Sequence, residues 1–206
     1  MTSYWPSRVA LATVGLFSCL VLLSCGKDCC PAPKITYPNR ETPQGLLDYY
    51  AKSFEDKNLE RYNECLWDSY VFMFTPWDWD AAGVTPEKPY WGKTEDVAST
   101  EHIFASSAVM SIRFELHQYV TDFTGPDTLL TAIVRPAIDV TIEVPGEEPM
   151  TKQVRKSRLH FVLRPDPENE HLWVIRQIQE ETMELEARQA AANEPTTFGS
   201  IKALFK

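Results

Sequence analysis

The sequence predicts one α+β domain. Apolar residues recur at helical spacing between Leu46 and Leu66, and long runs alternating apolar with polar side chains follow between Ser111 and Gln179. The chain has 206 residues, 44% hydrophobic and 12% aromatic, which supplies one sizeable core and too little length for two ordinary domains. The formal charge of −9 and the lack of any Lys or Arg block oppose nucleic-acid binding, which needs a basic face.

Residues 1–24 carry one charge, Arg8, and an uncharged apolar run from Val9 to Leu23. That run is short for a membrane span and suits the apolar region of an export signal. It ends in Leu22-Leu23-Ser24-Cys25, which resembles the lipobox of bacterial lipoproteins. The resemblance implies diacylglycerol on the Cys25 thiol (a palmitate-type lipid anchor), cleavage just before Cys25, and anchorage in the cell envelope. Gly26 after that cysteine implies outer-membrane sorting in a Gram-negative host. Residues 25–40 hold Pro31, Pro33 and Pro38 and read as an extended tether, long enough at about 3.1 Å per residue to hold a domain some 45 Å from the membrane. Of the five cysteines, Cys29 and Cys30 lie in this tether, and Cys65 reads as a buried structural thiol.

The domain itself is expected over residues 41–180. Thr42-Pro43 is a helix start, with Leu46, Leu47, Tyr50, Ala51 and Phe54 on one face. Lys57-Asn58 breaks that helix, and Leu59, Tyr62, Cys65 and Leu66 form a second short one. Residues 70–75, YVFMFT, read as a strand and residues 76–92 as a loop. Thr94 starts a third helix carrying Val97, Ile103, Phe104 and Ala108. Four strands follow: one with Ile112, Phe114 and Leu116 inward, one from Leu129 to Val144, one with Leu159, Phe161 and Leu163 inward, and residues 172–179. Residues 181–206 read as a helical tail. There Phe198, Ile201, Leu204 and Phe205 share a face that docks either on the domain or on a partner.

The stretch TPQGLLDYYAKSFEDKNLERYNECLWDSYVF, with WGKTEDV and its helix, resembles the nuclear transport factor 2-like superfamily and its SnoaL-like members. The resemblance covers roughly residues 42 to 180. It implies a cone-shaped, curved antiparallel sheet wrapped around the N-terminal helices, an apolar pocket, and a tendency to form homodimers through the outer sheet face. On that fold the expected pocket lining is Tyr50, Phe54, Phe72, Trp77, Phe104, Phe114, Val134, Ile138, Phe161 and Trp173.

Enzymes of the superfamily use an acidic residue in the pocket, but the apolar strand faces here carry no titratable group. Two exceptions are open. A bulge at Pro136 would turn Arg135 or Asp139 inward. Alternatively, Asp78 or Asp80, flanked by Trp77 and Trp79, would act as a general base with Tyr50 or Tyr70 as hydrogen-bond donor. The competing expectation is that those aspartates cap turns. His102, His117, His160 and His171 have no metal-ligand spacing, and neither a metal nor a cofactor is expected. The reading is therefore a noncatalytic binding or interaction module with an apolar pocket for a hydrophobic small molecule. The alternative is a lyase, isomerase or hydrolase.

Overall fold

The computed structural model describes residues 37–122, 130–143, 146, 148–154, 157–182 and 197–206. The signal-like segment and most of the tether, Cys25 included, lie outside the described residues, as do residues 183–196 of the tail. Side chains 117–122 also lie outside them.

Helix α1, Pro43–Glu55, begins where the Thr42 hydroxyl accepts the Gly45 N–H at 3.0 Å, with proline in the first turn. It buries Leu46, Leu47, Tyr49, Tyr50 and Phe54, one more aromatic than the sequence pattern selects. The break that follows is a left-handed residue, Lys57, at φ 51°, after which Asn58 caps α2, Leu59–Glu64. Strand β1, Leu66–Met73, starts four residues before the expected strand and pairs with β2, Tyr90–Gly92, on one side. Between them lie a single 3-10 turn, Pro76–Asp78, and the short α3, Trp79–Ala82. Helix α4 is Lys93–Ala105, and the strands β3 to β7 are Val109–Asp122, Leu130–Ile142, Met150–Val154, Ser157–Pro165 and Trp173–Thr182. Phe198–Ala203 forms the C-terminal helix α5.

The sheet order is β2-β1-β7-β6-β4-β3, with β5 paired to β4. All pairings are antiparallel except β1 with β7, so the sheet is mixed rather than wholly antiparallel. It curls into a half-barrel, and α1 lies along its inner side against β3 and β7. The expected inward faces are inward: Phe114, Val134, Ile138, Leu159, Phe161 and Leu163 are all buried.

Pro136 does not flip the parity of β4. Val134, Pro136 and Ile138 are buried in turn while Arg135 is exposed. Pro136 sits where one neighbour of β4 changes, from β6 over Leu130–Val134 to β5 over Ile138–Ile142, while it stays in register with Leu116 of β3 on the other side. Strand β7 runs three residues past the expected end at Gln179 and therefore places Glu180 on the inward face after Ile178. The expected domain boundary at residue 180 falls within this strand.

Candidate functional site

The interior of the half-barrel is aromatic. Tyr50 and Phe54 from α1, Tyr62 from α2, Tyr70 and Phe72 from β1, Phe114 from β3 and Phe161 from β6 are all buried. The Tyr50 ring lies 5.7 Å from both Phe114 and Phe161, edge to face, and Phe54 lies 5.1 Å from Tyr62. Helix α5 enters this space. Phe198 packs 5.6, 5.8 and 5.5 Å from Phe54, Phe72 and Phe114, so own-domain docking is the arrangement of the tail. Ile201 is buried with it, whereas Leu204 is 62% exposed.

One turn after Phe198, Lys202 enters with no exposed surface at all. Its Nζ donates to Asp96 Oδ1 at 2.6 Å, to Tyr62 Oη at 3.0 Å and to Thr100 Oγ1 at 3.2 Å. Tyr62 in turn donates to Asp96 Oδ2, and Thr100 to the Asp96 carbonyl, so each partner keeps a lone pair for the ammonium. The rings of Phe54, Tyr62, Phe72 and Phe198 surround Nζ at 5.7, 5.3, 5.2 and 5.2 Å. Burial pushes the Lys202 ammonium below its ordinary range, and the Asp96 carboxylate opposes that. The Tyr50 and Tyr70 hydroxyls are buried beside Tyr62, and burial, then Asp96, raises both well above the usual tyrosine range, with Tyr62 opposing the rise.

A second polar cluster holds the start of α5. Glu180 accepts the backbone N–H of Phe198 and of Gly199, each at 2.8 Å. Asp78 accepts the Thr197 hydroxyl, and the Thr75 hydroxyl at 2.7 Å. Burial raises Glu180 to about 7 against hydrogen bonds from Ser157, Gly199 and Phe198, and burial also raises Asp78. Gly199 permits the approach: a Cβ there would lie 2.9 Å from the Phe74 ring and 3.0 Å from Asp78 Oδ2.

Asp78, Asp96 and Glu180 are the acidic side chains buried among the described residues, and each binds the C-terminal segment. Of the two aspartates singled out from sequence, Asp78 is buried but its oxygens face Thr75 and Thr197, and Asp80 is exposed on α3. Trp77 is 70% exposed and lines no interior; in the 3-10 turn Pro76–Asp78 it is Asp78 that is buried. Phe104 and Trp173 are half-buried against the core. Tyr50, Phe54, Phe72, Phe114, Val134, Ile138 and Phe161 come together inside. Cys65 is buried, and its thiol donates to the Arg61 carbonyl.

Asp96, Glu180 and Lys202 are absent from the sequence-based candidates. Asp96, Ser99, Thr100 and Ile103 form the buried face of α4, which is polar where the apolar pattern selects Val97 and Phe104. The available signal was the i, i+4 spacing of Asp96 with Thr100 and of Phe198 with Lys202.

No protein-family model and no curated protein matches the chain. Solved structures do. A proposed aromatic ring hydroxylase from Novosphingobium aromaticivorans aligns at TM-score 0.52 and 13% identity, over 73% of this chain and 92% of its own. A proposed dehydratase of the nuclear transport factor 2-like family from Streptomyces avermitilis aligns at TM-score 0.50 and 14% identity, over 67% and 92%. The fold is nuclear transport factor 2-like. An uncharacterised protein with a cystatin-like fold from Caulobacter vibrioides aligns at TM-score 0.50 and 15% identity, over 72% and 92%. At these identities the likeness is one of fold, and the nuclear transport factor 2-like scaffold carries both enzymes and proteins of unknown function.

Proposed function

We propose that this protein is a lipid-anchored, noncatalytic binding module of the cell envelope, whose cone holds its own C-terminal helix and exchanges it for a ligand. The observation that carries this reading is that Asp78, Asp96 and Glu180 all bind the α5 segment. A general base needs a carboxylate oxygen aimed at substrate, and while α5 is docked all three carboxylates are turned onto residues of the α5 segment. The interior is otherwise apolar and aromatic, which suits a hydrophobic ligand. Lipidation at Cys25 and outer-membrane residence rest on the LLSC sequence and Gly26.

The alternative, a lyase, isomerase or hydrolase using Asp78, is favoured by one observation, the raised pKa of that buried acid. In the proposal Asp78 holds Thr197 instead. A homodimer through the outer sheet face, where Arg135 is exposed, belongs to the same proposal.

Native mass spectrometry of the mature chain and of its Phe198→Ala/Lys202→Ala variant, both purified from the host envelope, tests the reading. The variant should carry a noncovalent small-molecule mass that the parent lacks, and both should carry diacylglycerol at Cys25. A parent chain that retains an occupant while α5 stays protected from hydrogen exchange would refute the exchange. A parent chain free of lipid would refute the anchor.

A further inference from the structure

Lys202 sits in the cone as a ligand that the chain supplies to itself. Apart from Phe198, everything that contacts its ammonium belongs to the body of the domain: Asp96 and Thr100 on α4, Tyr62 on α2, and the rings of Phe54 and Phe72. Phe198, four residues earlier on the same helical face, brings its ring against Phe54, Phe72 and Phe114. An aromatic ring and a primary ammonium therefore enter the cone together.

We propose that the cone is a binding site for arylalkyl ammonium ions, small primary amines with an aromatic ring a few carbons from the nitrogen, which take the places of Phe198 and Lys202. The proposal rests on the reading of the domain as a binding module. Three features select this chemistry. First, Asp96 is fully buried with α5 docked, and departure of α5 takes away its countercharge, so a cation that refills the place of Lys202 is preferred over a neutral molecule of the same shape. Second, the Phe54, Tyr62 and Phe72 faces add cation–π attraction. Third, three acceptor oxygens converge on Nζ, from Asp96, Tyr62 and Thr100. They match the three N–H donors of a primary ammonium and give a quaternary one nothing to bond.

The probe is 4-phenylbutylamine, with 4-phenylbutanol and the trimethylammonium analogue as controls, applied to the mature full-length chain and its Lys202→Met variant. Titration calorimetry on Lys202→Met should show the amine binding roughly tenfold tighter than either control, with the preference abolished by adding Asp96→Asn. In the parent chain, saturating amine should raise hydrogen exchange at residues 198–205, because it competes with the tethered Phe198 and Lys202 for the same site. Equal binding of amine and alcohol overturns the ammonium selectivity and leaves the binding-module reading standing. A folded Lys202→Met that binds none of the three overturns both. Should Lys202→Met fail to fold, the parent chain decides, and α5 protection unchanged by saturating amine overturns the proposal.

Discussion

Lys202 and Asp96 are the residues on which the interior turns, because each is fully buried and each is the other's countercharge. A buried ion pair adds little net stability over an apolar pair of the same volume, yet removing one member leaves an uncompensated charge. Lys202→Met and Asp96→Asn should therefore each cost about 3 to 5 kcal/mol in urea denaturation. The double variant should cost less than the sum of the two, since it removes both charges together. Additive costs would mean the pair is not coupled. Gly199 is the other sensitive position. A methyl there meets the Phe74 ring at 2.9 Å, and a packed ring cannot retreat without disturbing Trp91, 4.7 Å away. Gly199→Ala should lower stability by about 1 to 3 kcal/mol, read as a lower urea midpoint. An unchanged midpoint would show that the start of α5 is loosely held.

At the scale of elements, the docking of α5 is linked to pH through Glu180. Burial holds this carboxyl at about 7, above its ordinary 4.5, so the native state keeps a proton that the unfolded chain gives up. Stability from this group is full below about pH 4.5 and is lost as pH rises through about 7, a swing on the order of 3 kcal/mol. Asp78 is shifted in the same direction by burial and adds to the same slope. Midpoint denaturation measured across that range should fall with pH in the parent chain and stay flatter in Glu180→Gln; parallel profiles would remove Glu180 from the account. The same elements show what was legible in the sequence. Strand alternation gave β3, β4 and β6 their inward faces, because one side meets an apolar core and the period of 2 records it. Helix α4 was legible as a helix but not by its face, since Asp96, Ser99 and Thr100 are buried polar groups that an apolar pattern cannot select. Strand β7 extends to Thr182 although Glu180 and Glu181 are individually poor strand signals. Pairing with β6 as far as Ser157↔Thr182 decides it. The parallel β1–β7 pair joins segments about a hundred residues apart and leaves no local trace.

Over the whole molecule, the resemblance of residues 42 to 180 led to the half-barrel and its aromatic lining, while the helix that completes its interior came from residues outside the resemblance. Phe198, Ile201 and Lys202 belong to the tail in sequence and to the core in space, and a tail docks by tertiary contacts that short-range patterns do not encode. This has a consequence for truncation. A chain ending at Thr182 keeps every strand of the sheet but loses the burial of Phe198 and Ile201, each contributing about 1.5 to 3 kcal/mol. It also leaves Asp96 without Lys202 and Glu180 without its two backbone donors. Those losses together approach the 5 to 15 kcal/mol that holds a typical domain folded. The sheet is held by its own ladders and by α1, so it should survive as backbone structure without fixed interior packing. The truncated chain should therefore retain its far-ultraviolet circular dichroism, lose the near-ultraviolet signal of its tyrosines, and bind anilinonaphthalene sulfonate. A truncated chain that unfolds cooperatively and leaves the dye dark would show that the cone is complete without α5, and the helix would then be an occupant the fold does not require.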